Sequence, residues 1–502
     1  MNDRITTQFC DKIMSGDIST EISMPDYEPE VRRLLKVSVK TAPPEGFFDG
    51  NRIGVNGRII YNILYSANDG ELYSTEAEET YELAEAAKPS EKCPENQIFL
   101  CEVQPESLVS RATAPRKLSL KCRLKGRVRG FCEKELTENT TYVENPSCVR
   151  RLKGQSSYSH VFSPISSEFK LSEDFVTEVG GDLRVVSYDA VAVAEEIETS
   201  RGSAAVKGTL HMTLLVSCDD GETAPFTLHK KIPFAEVIDA DGISPACETL
   251  ANVCCTNAVF SVEDSRIFCE ATVCIELCCS EERLAEYTRD LFSTEVSSQT
   301  TEKRCEFPYS SKSVSGNFSV NLRKNQEEED WLDGAEIINA TSNAVVKSIE
   351  FDGEKSILVG ETTVDLLTKV QNEYSAKEFK IPFRYETESV DGEPMFAEFS
   401  ITALPPTAKI ESGRLLCDCE LYTRGRMFSK SELTALDEVI FGDYIDKDST
   451  MTVCFPSPTD TVWDIAKRYH IPTEAIIAQN RSSFPSTSDA DESTIPAAPL
   501  IL

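Results

Sequence analysis

Three stretches of this 502-residue chain align without a gap on a single glycine: LLKVSVKTAPPEGFFDGNRIGVNG (34–57), VVSYDAVAVAEEIETSRGSAAVKG (185–208) and IINATSNAVVKSIEFDGEKSILVG (337–360). Gly57 and Gly208 are 151 residues apart (208 − 57), and Gly208 and Gly360 are 152 apart (360 − 208). Unrelated segments rarely keep such spacing, so the chain reads as three copies of one unit.

The period inside the unit is that of a strand. After the glycines come RIIYNILYSA, TLHMTLLVSC and ETTVDLLTKV. In the second copy Val206, Leu210, Met212, Leu214 and Val216 share one parity, while Lys207, Thr209, His211 and Thr213 share the other, which predicts a strand with one buried face. A glycine there predicts a bulge or a close backbone approach. Downstream, KKIPF (230–234) and FKIPF (379–383) stand where the first copy has EETY (78–81). Each copy then carries a further alternating stretch: RKLSLKCRLKGRVRG (116–130), SRIFCEATVCIELCC (265–279) and GRLLCDCELYTRG (413–425). Turn signals such as NDG, CDDGE and FDGE lie between, so antiparallel hairpins are expected.

The expected fold is therefore mainly β, with three tandem antiparallel sandwich-like or barrel-like units at 16–140, 170–300 and 320–442 and a different module at 450–502. The polar stretches 154–169 and 324–331 are expected to be the joins.

Composition narrows the function classes. A formal net charge of −33 would repel a phosphate backbone or an anionic membrane, so nucleic acid is not an expected partner. The N-terminal MNDRITTQFCDKIMSGD lacks the apolar core of a signal peptide, and no stretch reaches the ~18 apolar residues of a membrane span. The 18 cysteines are then expected to stay thiols. Cys254-Cys255, Cys278-Cys279 and Cys417-x-Cys419 sit inside strand patterns as small apolar side chains, and His160, His211, His229 and His470 lie at no ligand spacing. No metal, cofactor or catalytic constellation is expected, because neither a phosphate loop nor a nucleophile elbow is present.

Near the start, EISMPDYEPEVRRLLKV (21–37) sets Asp26 between Pro25 and Pro29. Glu21–Met24 alternates like a short strand, and Pro25 ends it. Pro29 suits the first position of a helical turn, with Asp26, Glu28 and Glu30 at its positive end and Val31, Leu34 and Leu35 on one face. The role expected for this stretch is structural. Together with VNGRIIYNILY it resembles the SPOCS domain of spore-coat and related proteins of endospore-forming Firmicutes, with Met24 and Glu30 standing for the usual leucine and aspartate. Copies two and three have KLSED and NLRKN at the equivalent place.

At the other end, Asp460-Thr461 precedes Val462, Trp463, Ile465, Ala466 and Tyr469 at helical spacing, and Thr473-Glu474 opens a second helix that carries Ile476 and Ile477 and ends at Asn480. TVCF (452–455) and PLIL (499–502) flank them, which gives strand, helix, helix, strand. DTVWDIAKRY and AIIAQN make this stretch similar to a LysM module, with Thr459 in place of the usual glycine and a long acidic loop at 481–494. The resemblance implies an N-acetylglucosamine-glycan groove at Asp460, Thr461, Val462, Ile477 and Asn480, with Trp463, Ile465 and Ala466 in the core.

Both resemblances together imply a spore-coat morphogenetic protein. Such a protein would be a non-enzymatic scaffold in the mother-cell cytoplasm at the forespore surface, binding coat proteins, including the coat's basement ATPase, through the β units and the LysM module. The alternatives are a peptidoglycan-binding wall or phage-tail component and a LysM-targeted wall hydrolase.

Overall fold

A computed structural model describes residues 3–88, 96–141, 145–179, 181–218, 223–263, 265–327, 329–371, 373–446, 452–457, 459–481, 484 and 499–502. It is mainly β, built of antiparallel sheets, with two α-helices among these residues.

Local alternation drives the strands. In Ser203–Cys218 the side chains of Val206, Leu210, Met212, Leu214 and Val216 are buried while Lys207 is exposed. The alternation ends at Thr213 and Leu215, which are buried as well. The outer face of this half-strand is covered by the rest of the molecule.

One strand order recurs three times. Arg4–Ser23, Lys117–Glu135 and Ile98–Ala114 pair in that order. Ile165–Val176, Arg266–Ser293 and Glu248–Glu263 repeat it, as do Val296–Asn325, Arg414–Tyr444 and Pro394–Ala403. The chain between the first and third strand of each set forms a meander: Val31–Thr41, Arg52–Ala67 and Leu72–Ala86; Leu183–Ser200, Ser203–Cys218 and Phe226–Asp239; Glu336–Asp352, Lys355–Val370 and Glu373–Glu388. Each meander faces its partner sheet across a common core. Ile59, Tyr61 and Ile63 lie in one cluster with Leu118, Leu120, Cys122 and Leu124, and Leu210, Met212 and Leu214 in another with Ile267, Cys269 and Val273. Val364 and Leu366 cluster in the same way with Leu415 and Cys417. Burying one face of each sheet against the other is the usual solution for half-apolar strands.

The three aligned glycines have matching surroundings. Gly57, Gly208 and Gly360 lie in the central strand of each meander, opposite Tyr81, Phe234 and Phe383. A Cβ at Gly208 or Gly360 would collide with the aromatic ring and with the carbonyl of Val193 or Val345 on the other neighbouring strand. That strand is bulged beside the glycine, at Ala194/Glu196 and at Val346/Ser348. In the first copy Pro43 and Pro44 divide it instead into Val31–Thr41 and Glu45–Phe48, since proline cannot donate to a ladder.

Two expectations need correction. The helical turn expected from Pro29 is absent: Val31–Thr41 is a strand. Register shifts at Val31/Arg33 and Leu34/Lys36 insert extra residues, so Val31 and Leu34 reach one core at helix-like spacing, while Leu35, expected on the same face, packs in a separate cluster with Leu64. The stretch 154–169 is not an irregular join either, because it runs through the strands Val149–Val161 and Ile165–Val176. Its residues Gly154–His160 pair with Glu281–Tyr287, with Gln155 exposed and Tyr158, Ser159 and His160 buried. Residues 324–331 lead from Val296–Asn325 through a short 3-10 turn, Asp330–Leu332, into the third meander.

The meanders also meet one another. Leu64, Leu215 and Leu367 each lie seven residues past their glycine, and they form one buried cluster with Val186, Ile338 and the half-buried Leu35. Around it, the Ser74 hydroxyl donates to the Val186 carbonyl and the Thr227 hydroxyl to that of Ile338 (2.6 Å). Arg33 donates to the carbonyl of Tyr374 (3.3 Å). First touches second, second touches third, and third touches first, so the contacts close a ring. On the partner sheets two arginines are buried at matching places. Arg129 reaches Glu102 (3.3 Å) and the Ala397 carbonyl (3.1 Å), and Arg426 pairs with Glu398 (2.7 Å).

Candidate functional site: the C-terminal module

Helix α1 spans Val462–Tyr469 and α2 spans Thr473–Gln479. The strands Val453–Cys454 and Leu500–Ile501 pair antiparallel beside them. Thr461 caps α1 in a reciprocal box: its hydroxyl accepts from the Asp464 amide (3.2 Å), and the Asp464 carboxylate accepts from the Thr461 amide (2.8 Å). Val462, Trp463, Ile465, Ala466, Ile476 and Leu500 are buried together.

The five residues expected to line a groove all lie in this module, and four are tied to its own framework, Thr461 through the cap of α1. Asp460 accepts from the Ser457 amide (3.0 Å) and from the Arg468 guanidinium (3.1 and 3.2 Å). These bonds, the amide's first, hold its carboxyl below the usual range. Asn480 ends α2 and donates to the carbonyls of Ile476 and Ile501 (2.8 Å each), while its own oxygen accepts from the Ile501 amide (2.8 Å). It locks the second helix to the last strand. Val462 is fully buried. Thr461 and Ile477 are half-buried and border solvent. Thr459 is exposed, and the acidic loop expected at 481–494 lies almost wholly outside the described residues.

The module is seated on the extended ribbon of the second repeat. Trp463 stacks edge-on against Phe292 (centroids 4.9 Å apart) and donates through its indole N–H to Asp290 (2.8 Å). Lys467 donates to both oxygens of Asp290 (2.7 and 2.8 Å). His470, in the left-handed region at φ 54°, places Nδ1 2.9 Å from the Ser293 carbonyl and so acts as donor there. Leu152 completes the apolar contact. Periodicity identified Trp463 as core but could not supply Asp290, one acid in a long strand about 170 residues upstream.

The opening loop is a rigid turn. The Glu28 amide bonds to the Pro25 carbonyl (3.1 Å), and the Arg116 guanidinium donates to the carbonyls of Pro25 (2.7 Å) and Glu28 (2.8 Å). Tyr65 donates to the Pro29 carbonyl (3.3 Å). Asp26 is exposed, and Tyr27 stands 86% exposed at the tip.

The cysteine doublets lie within strands, and the described cysteines are free thiols, most of them buried. Burial pushes Cys122 up to about 11 and Cys269 and Cys417 up to about 12, which keeps them protonated at neutral pH. Among the described residues no three of His, Cys, Asp and Glu converge as metal ligands would, and no helix is long and apolar enough to cross a membrane.

Comparison with protein-family models, with curated proteins and with solved structures returns no match for this chain.

Proposed function

We propose that this protein is a non-enzymatic scaffold for spore-coat morphogenesis in an endospore-forming bacterium, built of three tandem β-sandwich units and a LysM-type module. The units and the module bind coat proteins, among them the coat's basement ATPase, on the mother-cell side of the forespore surface. One observation carries the reading. The module bearing DTVWDIAKRY and AIIAQN is fastened through Trp463, Lys467 and His470 to the ribbon of the second repeat. Adhesive faces held in fixed relation engage a multivalent lattice with an avidity that separate weak sites lack. The net charge of −33 favours basic protein faces over phosphate or wall polymers.

The test has two arms. A fluorescent fusion should ring the developing spore, and the full chain should retain coat proteins from sporulating lysate. Uniform signal through vegetative cells would overturn the proposal. Firm retention on purified peptidoglycan, lost on Thr461→Ala plus Ile477→Arg at the rim of the module, would favour the wall-binding alternative.

A further inference from the structure

A cleft of about 250 Å3 lies between the second and third repeats. Its floor is the outward face of the sheet formed by Val296–Asn325, Arg414–Tyr444 and Pro394–Ala403. Two cross-strand rows make it up, Ser315–Arg424–Ser400 and Asn317–Tyr422–Thr402. Small residues of the second repeat, Ala192–Ala194, Ala251 and Val253, form the facing wall, with Glu195 at its edge.

The other two repeats act as an internal control. In the first, Arg127 stands two residues before buried Arg129, as Arg424 stands before buried Arg426. Arg127 is flanked by Ile13 and Glu102 and is held by Asp11 (2.6 and 2.8 Å), and the next row is Ser15–Lys125–Gln104. In the second, the rows are Ser166–Glu276–Asn252 and Glu168–Cys274–Cys254. Only the third repeat combines an arginine, a tyrosine and four small neutral hydrogen-bonding side chains.

Arg424 differs from Arg127 in its pairing. Among the described residues no carboxylate lies within ion-pair reach of it, and its guanidinium donates to the backbone carbonyl of Glu195 (2.8 Å). Burial draws its pKa below the ordinary arginine value, as for a charge with no counter-ion. The remaining N–H groups of the fork match the two oxygens of one carboxylate. A phosphate monoester, with a charge of about −1.5 to −2, would set its second charge against Glu195. Tyr422 offers an apolar ring face between hydroxyl and amide groups that can both donate and accept, a set suited to a polyhydroxylated ring.

We propose that this cleft binds a carboxylate-bearing monosaccharide, with Arg424 holding the carboxylate, Tyr422 beneath the sugar ring, and Asn317, Ser400 and Thr402 bonding its hydroxyls. The site is independent of the scaffold role, and either can fail without the other.

Titration of the full chain with D-glucuronate and D-galacturonate, followed by ligand-observed NMR and calorimetry, tests it. The uronates should bind saturably and at least about tenfold more tightly than D-glucose or glucose 6-phosphate. Arg424→Gln should weaken uronate binding about ten- to a hundredfold, the worth of a charge-assisted hydrogen bond, with an unchanged urea midpoint. Ser400→Trp should fill the cleft and abolish binding. The inference is overturned if neither uronate saturates by ~50 mM, if Arg424→Gln binds as well as the parent, or if acetate or the phosphate sugar binds as tightly as the uronates.

Discussion

Buried polar residues carry the sharpest consequences at the scale of single side chains, and His160 is the clearest. Its ring stacks edge-on against Phe162 (4.7 Å), with Nδ1 3.2 Å from the Thr6 hydroxyl and 3.9 Å from Glu133. Burial, aided by Arg283 and only partly offset by Glu133 and Glu281, pushes its pKa down to about 4. The unfolded chain takes up this proton near 6.5 and the fold refuses it until about 4, so the unfolded state binds more protons across that interval. The contribution is fully present above about 6.5 and is lost as pH falls towards 4, amounting to roughly 3 kcal/mol in all. Glu276, buried and raised mainly by that burial, pulls the opposite way, so a difference measurement is needed. Urea midpoints of the parent should fall relative to His160→Gln between about pH 7 and pH 5. Parallel midpoints would mean that His160 charges freely in the fold.

Among the strands, the repeated glycine is a packing device rather than a site. The aromatic across the ladder lays its ring over the bare backbone, and in copies two and three the bulged neighbour also presses a carbonyl close. Gly360→Ala should cost about 1–3 kcal/mol, because the carbonyl of Val345 and the ring of Phe383 cannot both withdraw. Gly57→Ala should cost less. There the nearest atoms belong to the far end of Tyr81, at 2.6 Å, and the proline break leaves no strand carbonyl against the position. Comparing the two variants by urea unfolding checks this, and equal losses would show that the carbonyl contact is not what the glycine serves. The C-terminal module makes a similar point about elements. Its first helix is capped by its own Thr461, while the second starts at Thr473 behind Pro472 with no side-chain cap, but the module's position is set by Asp290, which takes the Trp463 and Lys467 donors together. Asp290→Ala should shift the emission of Trp463, isolated in a Trp331→Phe background, and leave the unfolding of the repeats unchanged. An unshifted emission would mean that the apolar contact with Phe292 and Leu152 suffices for the seat.

For the molecule as a whole, the cluster of Leu64, Leu215 and Leu367 joins the meanders of all three repeats. Leu215→Asp would place an uncompensated carboxylate where no solvent reaches and should lower stability by more than about 3 kcal/mol. If the repeats were independent beads on a string, Leu215 would be a surface position and the urea midpoint would hardly move. The same closure explains why the first repeat cannot be understood alone. Its buried Arg129 reaches a carbonyl of the third repeat, and Asn139–Thr140 pairs in parallel with Glu438–Val439 there.

Alternation, turn chemistry and the glycine period were enough to read β strands, their three-fold recurrence and the two helices, because those features depend on neighbours two to four residues apart. Pro29 misled because a bulged strand and a helical turn place apolar side chains at the same short spacing, and nothing local separates them. The polar stretch 154–169 misled because a paired strand, even one that buries Tyr158 and Val161, can be as rich in serine as a linker. The chain alone could not show that Leu64, Leu215 and Leu367 meet, that Asp290 receives Trp463, or that Arg424 looks into a cleft while its counterpart Arg127 is paired. Those are contacts between residues 100 to 300 positions apart, decided by which faces remain to be buried after each sheet has formed.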